Sequence, residues 1–290
     1  MTPPFDSRHV RHAFGRAAAT YLKHAALQRE VEDRLLERLD YVTSEPQRVV
    51  DVGCGPGRAA ALLRKRWKRA DVIALDLALP MLARVRTGWR RPLLRVCADA
   101  RALPLPDASV DVLFSNLCIQ WVEDLPALFD EFRRVLRPGG YFAFSTFGPD
   151  TLHELCSAWA SADRMPHVSR FADIARVGDA LMHAGFRDPV LDSEHFTLTY
   201  ADAVGVMRDL KAIGATNADP ARSRGLTGKK HFRSALDAYE SFRDGDALPA
   251  TYEVISAHCW GPEPGQPRRG RGGGEIASFP IERLRGSRRT

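Results

Sequence analysis

The stretch VVDVGCGPGR, Val49 to Arg58, constrains the fold more than any other part of the chain. The apolar run at 48–52, interrupted by Asp51, reads as a strand buried on both faces. Three glycines then fall within five residues, at Gly53, Gly55 and Gly57. Glycine has no Cβ, so it lets backbone approach a second group closely and adopts positive φ without strain. A buried strand that ends this way turns tightly against a ligand.

The rest of the chain repeats the pattern. Strand-like runs occur at RVVDVG (48–53), DVIALDL (71–77), LLRVCAD (93–99), VDVLFSN (110–116) and GYFAFSTF (140–147). Helical patterns lie between them: RAAALLRKRW, LPMLARVR and DLPALFDEFRRVLRPGG. The last is apolar at Leu125, Leu128, Phe129, Phe132 and Leu136, a helical period, and Pro138, Gly139 and Gly140 stop it. Strand, helix, strand at this spacing predicts βαβ units, hence a parallel sheet with right-handed crossovers. Two further strands are expected at about 190–200 and 250–260, separated by helical and loop sequence. A helical segment over about 8–39 precedes the first strand.

In such a sheet, ligands sit at the carboxyl ends of the strands near the switch point. Asp76 ends the second strand about twenty residues after the glycines, where a carboxylate accepts hydrogen bonds from ribose hydroxyls. Asp99 ends the third strand, within reach of an adenine amino group. NAD and S-adenosylmethionine both carry adenosine, so these acids do not separate the two. The glycine spacing favours the second, because GCGPG is G-x-G-x-G rather than the dinucleotide G-x-G-x-x-G. Asp51 inside the strand suits the sulfonium and amino-acid end of such a ligand. The competing reading, two ordinary strand-end acids, leaves the three glycines unexplained.

Charge and cysteine usage exclude other classes. Of the net charge of +6, the last thirty residues carry +4, leaving +2 on the other 260. Those thirty hold seven of the 22 glycines and four of the 19 prolines, which predicts a poorly ordered tail over 261–290. A body so near neutrality argues against nucleic acid as a partner. The five cysteines, at 54, 97, 118, 156 and 259, form no C-x-x-C pair, so no metal site and no disulfide framework is expected. No apolar run approaches the ~18 residues of a membrane span. The first residues lack a signal-peptide core, and a transit peptide is the competing reading of that stretch. The expected localisation is cytoplasmic.

Residues 48–148, from VVDVGCGPGR through VIALDLALPML to CADARALPLPDASVDVLFSNLCIQW and FAFSTFG, resemble class I S-adenosylmethionine-dependent methyltransferases. The flanks AFGRAAATYLKHAALQREV (13–31), PHVSRFAD (166–173), MRDLKAIGATN (207–217) and LPATYEV (248–254) are similar to the malonyl-(acyl-carrier protein) O-methyltransferases of biotin synthesis. The resemblance implies an α/β fold, a Rossmann-like, mostly parallel seven-stranded sheet with helices on both faces. It also implies an N-terminal helical cap over 1–46, a methyltransferase domain over 47–260, and substrate-covering helices over about 201–247.

It further implies a function. Such enzymes methylate the free carboxylate of a malonyl thioester on acyl-carrier protein, giving a methyl ester that primes pimeloyl synthesis and leaving S-adenosylhomocysteine. Malonyl-CoA is a second acceptor to test. By that resemblance Gly53, Gly55 and Gly57 approach the methionine portion of the cofactor, Asp51 lies near them, and Asp76 with Leu77 holds the ribose. Asp99 with Ala100 meets the adenine, and Asn116 lines the methyl-transfer side. Apart from the resemblance, Tyr21 and His24 of the front helix are expected either to close over the cofactor or to serve packing. The fourth strand ends SNLCIQW rather than N/D-P-P-Y, which disfavours methylation of a base amine.

A carboxylate is ionised near neutral pH and already nucleophilic, so no catalytic acid or base is expected. Alignment for in-line displacement is the main requirement, and positioning is worth ~7–11 kcal/mol. Cations should hold the acceptor carboxylate, since the guanidinium fork suits it. The candidates are Arg170, Arg208 and Lys211, expected to be buried, while the cations of RSRGLTGKKHFR (222–233) would meet the acidic carrier at the surface. Two alternatives remain. One is a protein arginine hydroxylase of the complex I assembly type, which shares FG-x-DTL-x-EL and PATY-like segments. The other is an RNA-associated cofactor-binding module, suggested by the arginines of the tail.

Overall fold

The computed structural model describes residues 5–88, 92–223, 225, 227–263, 268–269 and 275–276. Seven strands make one sheet: β1 (Arg48–Val52), β2 (Asp71–Asp76), β3 (Leu94–Cys97), β4 (Val110–Ser115), β5 (Leu136–Phe147), β6 (Arg187–Tyr200) and β7 (Leu248–Trp260). Their order is β3-β2-β1-β4-β5-β7-β6, and β7 alone among these runs against its neighbours. Strand β1 pairs in parallel with both β2 and β4, so the order reverses around it. That makes its carboxyl end the switch point, where the glycine turn sits. This is the class I methyltransferase arrangement that the sequence led us to expect.

The helices follow their patterns. Helices α1 (Ser7–Ala17), α2 (Tyr21–His24) and α3 (Ala26–Glu37) replace the single segment expected over 8–39, with breaks at Ala18–Thr20 and Ala25. Helix α4 (Arg58–Arg66) follows the glycines, and α5 (Leu79–Leu82) follows β2. Helix α6 (Leu125–Val135) begins at Asp124, whose side chain accepts from the Ala127 N–H at 3.1 Å, with Pro126 in its first turn. Helices α7 (His153–Ala160), α8 (Ile174–Ala184), α9 (Ala203–Ala212) and α10 (Lys229–Tyr239) complete the set used here.

Alternation along the strands builds two cores. Phe142 and Phe144 face one way and stack at 4.7 Å, against Phe129 and Phe132 of α6. Tyr141 and Ala143 face the other way with Val49, Leu63 and Val112. Each fully buried Phe stabilises the fold by about 1.5–3 kcal/mol. A third cluster joins α7, α9 and α10 to the far end of β7 through Trp159, Val206, Tyr239 and Tyr252.

One boundary differs from the sequence reading. Strand β5 starts at Leu136, which pairs with Val110, and regular pairing resumes only at Tyr141 opposite Val112. The Arg137–Gly140 stretch bulges out between these pairs, so the residues expected only to stop α6 already belong to the strand. The expected tail lies outside the described residues, apart from Gly261–Glu263 and a two-residue ladder of β8 (Arg268–Arg269) with β9 (Glu275–Ile276).

Candidate active site

The turn after β1 is shaped by one close approach. Gly53 has φ +73°, and a Cβ there would stand 2.3 Å from Cys118 Sγ. The Gly53 and Cys54 N–H groups donate to Leu75 O at 2.8 and 3.0 Å, which pins the turn to β2. Gly55 and Gly57 also have positive φ, and Gly57 leads into α4. Asp76 holds the same turn from the other side. Its Oδ2 accepts from Gly55 N–H at 2.8 Å and its Oδ1 from Ala78 N–H at 2.7 Å.

Around this turn lies a cleft of about 780 Å³. Gly53, Gly55, Asp76, Leu77, Asp99, Ala100, Asn116 and Tyr21, all expected in a cofactor site, line it. A smaller cleft of about 410 Å³ adjoins it through Tyr21, Gly53 and Asn116, and is lined by Arg29, Glu32 and Asp51. Gly57 lines neither; its place is at the start of α4.

These two clefts are electrostatically unbalanced. Asp51 is 1% exposed, and its Oδ2 has no hydrogen-bond partner. Burial, and then the charge of Glu32, push its carboxyl well above the usual range. Burial likewise raises Asp76, and it raises Glu32 although Arg58 Nη1 donates to Glu32 Oε1 at 2.5 Å. Three carboxylates held up in this way fit a ligand that carries positive charge, as a sulfonium and an ammonium group do. Asp99 differs: Arg101 bonds it at 2.6–3.0 Å and keeps its carboxyl below the usual range.

Other side chains at the site are committed to structure. Asn116 Nδ2 donates to Gln28 O at 2.9 Å, and its Oδ1 accepts from Ser145 Oγ at 2.8 Å, so it ties β4 to α3 and β5. Tyr21 is raised by burial and by the nearby Asp76. His24 does not line the clefts; its Nδ1 meets Asp209 Oδ1 at 2.8 Å and joins α2 to α9. Burial pushes the Cys118 thiol to about 12 and Cys54 well above its ordinary value, so neither supplies a thiolate.

A third cavity of about 510 Å³ meets both clefts, sharing Trp121 with the larger and Gln28 with the smaller. Phe147, Leu152, Leu155, Phe171 and Tyr252 make it largely apolar, and Leu210 and Ile213 close it. His167 lines it, stacked on Trp159 at 3.8 Å and bonded to Asp163 Oδ1 at 2.9 Å. Sequence reasoning missed this cavity because its lining comes from six separated stretches without a shared motif. Arg29 and Glu32 were also missed, although the first lies within the quoted stretch 13–31.

The expected carboxylate clamp is corrected here. Arg170, Arg208 and Lys211 are exposed, and none lines the three cavities. Helix α9 buries Ala203 and Val206 and turns Leu210 into the cavity, which directs Arg208 and Lys211 to the opposite face.

Comparison with known proteins agrees with this geometry. Residues 50–144 match a family model described as a methyltransferase domain. A malonyl-(acyl-carrier protein) O-methyltransferase of Xylella fastidiosa is 52% identical over 288 residues, covering 98% of this chain and 97% of its own. That of Halorhodospira halophila is 51% identical, covering 93% of each chain. The chain belongs to the malonyl-(acyl-carrier protein) O-methyltransferase family. Solved structures of low identity share the fold. The YcgJ protein of Bacillus subtilis superposes with TM-score 0.53 at 17% identity, covering 79% of this chain and 98% of its own. The (4+2)-cyclase SpnF superposes with 0.51 at 20% identity, covering 81% of each chain. The second of these performs a cyclisation, so the fold alone does not specify the reaction.

Proposed function

We propose that the chain transfers the methyl group of S-adenosylmethionine to the free carboxylate of a malonyl thioester on acyl-carrier protein. The near full-length similarity to enzymes so named carries this reading, and the three adjoining cavities give it a site. Asp76 would hold the ribose while bracing the glycine turn, and Leu77, Ala98 and Ala100 would flank the adenosine. Asp51 and Glu32 would face the ammonium group and Arg29 the cofactor carboxylate. When bound, the cofactor supplies a methyl group on a positively charged sulfur leaving group. The chain's own part is to seat the acceptor and exclude water. The apolar cavity receives the acyl arm, and its shared wall at Gln28 and Trp121 brings the arm's tip to the junction of the clefts.

Among the described residues, that cavity presents one imidazole, His167, and no Lys or Arg. The acyl arm therefore meets no guanidinium along that cavity, where such a pair would stabilise the ground state and blunt the attacking oxygen. No general base is needed, because the acceptor arrives ionised.

The segments shared with the arginine hydroxylases have a structural role here. Thr151 Oγ1 donates to Glu253 O at 3.0 Å, and Glu253 N–H donates back to Thr151 Oγ1 at 3.1 Å. Glu154 accepts from Thr251 N–H at 3.1 Å and Thr251 Oγ1 at 2.5 Å. FGPDTLHEL and PATYEV thus fasten α7 to β7, and through Phe147, Thr151, Leu152, Leu155 and Tyr252 they wall the apolar cavity.

The test is methyl transfer from labelled cofactor to malonyl-carrier protein, beside malonyl-CoA and a single-stranded RNA. Label should appear on the carrier as a base-labile ester and be absent from RNA. An intact enzyme that labels RNA and leaves malonyl-carrier protein bare would overturn the reading. Malonyl-CoA turnover settles whether the carrier protein itself is required.

A further inference from the structure

We propose that the outer faces of α1, α2 and α9 form one basic docking surface for the acidic carrier protein, framing the place where its arm enters. This rests on the function proposed above and adds to it the surface that selects the carrier.

The first observation is a contrast in how surface cations are used. Arg34, Arg38, Arg58, Arg66, Arg134 and Arg243 are each paired with a carboxylate. By contrast Arg8, Arg11 and Arg16 of α1, Lys23 of α2, and Arg208 and Lys211 of α9 are all exposed. None of these six makes an ion pair among the described residues. On α1 the spacing 8, 11, 16 follows the helical repeat, so one face carries them while Val10, Ala13 and Ala17 are buried on the other.

The second observation is that these helices form a single surface. Gly214, just after α9, packs so closely on α1 that a Cβ there would stand 2.9 Å from Phe14 Cα. His9 Nε2 meets Thr216 Oγ1 at 3.0 Å, Thr20 Oγ1 donates to Ala212 O at 2.7 Å, and His24 meets Asp209. The last contact ties Asp209, the one acid of α9, to α2.

The third is position. The inner side of α1 lines the cofactor cleft through Ser7, Val10 and Phe14, and Leu210 of α9 lines the acyl cavity. Phe14 meets Trp121 edge-on at 5.5 Å, at the wall common to both. The unpaired cations therefore lie on the outer faces of helices whose inner sides line the cofactor cleft and the acyl cavity. Leu22 of α2 is 52% exposed among them, an apolar point of contact within a charged rim. The described residues of these three helices expose no Phe, Tyr or Trp on which bases would stack, so an acidic protein fits this face better than a nucleic acid. Rim charges of this kind act chiefly on encounter rate and salt dependence.

The test is charge reversal at Arg11, Arg208 and Lys211 together, with Arg11→Gln, Arg208→Gln and Lys211→Gln as a milder companion. Cofactor affinity, measured by calorimetry, reports that the clefts are intact. At low salt the reversed variant should lose about tenfold or more in kcat/KM for malonyl-carrier protein, through KM. Malonyl-pantetheine, which has no protein to dock, should turn over within about twofold of wild type. The loss should shrink toward unity by ~0.5 M salt, where screening falls to a few ångströms. Lys230→Glu with Arg233→Glu on α10, from the segment first expected to meet the carrier, should change little.

An equal loss with malonyl-pantetheine, or a loss confined to the α10 pair, overturns the proposal. So does a single-stranded RNA that binds this face more tightly than the carrier. Binding of unacylated holo-carrier protein, measured without turnover, tests the surface even if the wild-type enzyme fails to methylate malonyl-carrier protein. That last failure would instead remove the proposed function.

Discussion

Replacing Asp51 by Asn should move stability and cofactor affinity in opposite directions. Asp51 is 1% exposed with one oxygen unpartnered, and burial raises its carboxyl well above its ordinary value. Its folded pKa exceeds its unfolded one, so its contribution to stability is fully present below the unfolded pKa. That contribution is lost as pH rises through the folded pKa. At neutral pH the raised carboxyl pKa therefore burdens the free protein. Asn keeps the shape and removes the charge, relieving a buried polar group whose cost is ~1–3 kcal/mol. With an unfolding entropy of ~2.1 cal/mol/K per residue, that raises the melting temperature of this 290-residue chain by about 2–5 °C. The same substitution deletes a charge-assisted contact worth ~1.5–3 kcal/mol, weakening cofactor binding roughly 10- to 150-fold. Thermal unfolding of free protein across pH 4 to 8 and calorimetric titration with S-adenosylmethionine check both effects. The stability gain should vanish toward the acid end, where wild-type Asp51 is already protonated. A variant that is less stable at neutral pH, with cofactor affinity unchanged within about twofold, would refute this reasoning.

Two further outcomes are expected. Asp76→Ala should weaken cofactor binding by at least tenfold, since charge-assisted hydrogen bonds are worth ~1.5–3 kcal/mol each. It should also lower the melting temperature, because the Gly55 and Ala78 N–H groups lose their acceptor; unchanged calorimetry would remove the ribose assignment. Glu154→Ala should destabilise the fold by ~1–3 kcal/mol, because Thr251 N–H and Oγ1 lose the acceptors of a carboxylate that is itself 1% exposed. Cofactor affinity should stay unaltered, and a selective loss of affinity instead would tie α7 to the cofactor cleft.

The centre of the sheet was legible because β1, β2, β4 and β5 are largely buried on both faces and read as apolar runs, and because glycine spacing marks the one turn that must be tight. Asp51, Asp76, Asp99 and Asn116 could be placed near that turn because strand ends in a parallel sheet converge there. Their partners could not: Arg101 beside Asp99 and Gln28 O beneath Asn116 depend on how loops and the α3 cap fold back. Helical period alone also misled. It placed Arg208 and Lys211 on one face correctly, but which face turns inward is decided by Ala203, Val206 and Leu210 packing below. The start of β5 was hidden for a similar reason, since a Pro-Gly-Gly sequence reads as punctuation until its neighbour Val110 is known to pair with Leu136.

The fastening of α1 and α2 to α9 bears on how the chain is made. The contacts His24–Asp209, Thr20–Ala212 and His9–Thr216 join residues 185 to 207 positions apart. Long loops of this kind close late, after local pairing has been established. On a ribosome, the segment that roofs the cofactor cleft emerges before its partners and must wait for the 185 to 207 residues that separate them. Strands β1 to β4 can meanwhile pair around a glycine turn that stands open to solvent. A chain arrested before residue 209 would therefore own the turn and its acids without the enclosure that makes them selective, because α1 and α2 find their partners only after the sheet's first strands are made.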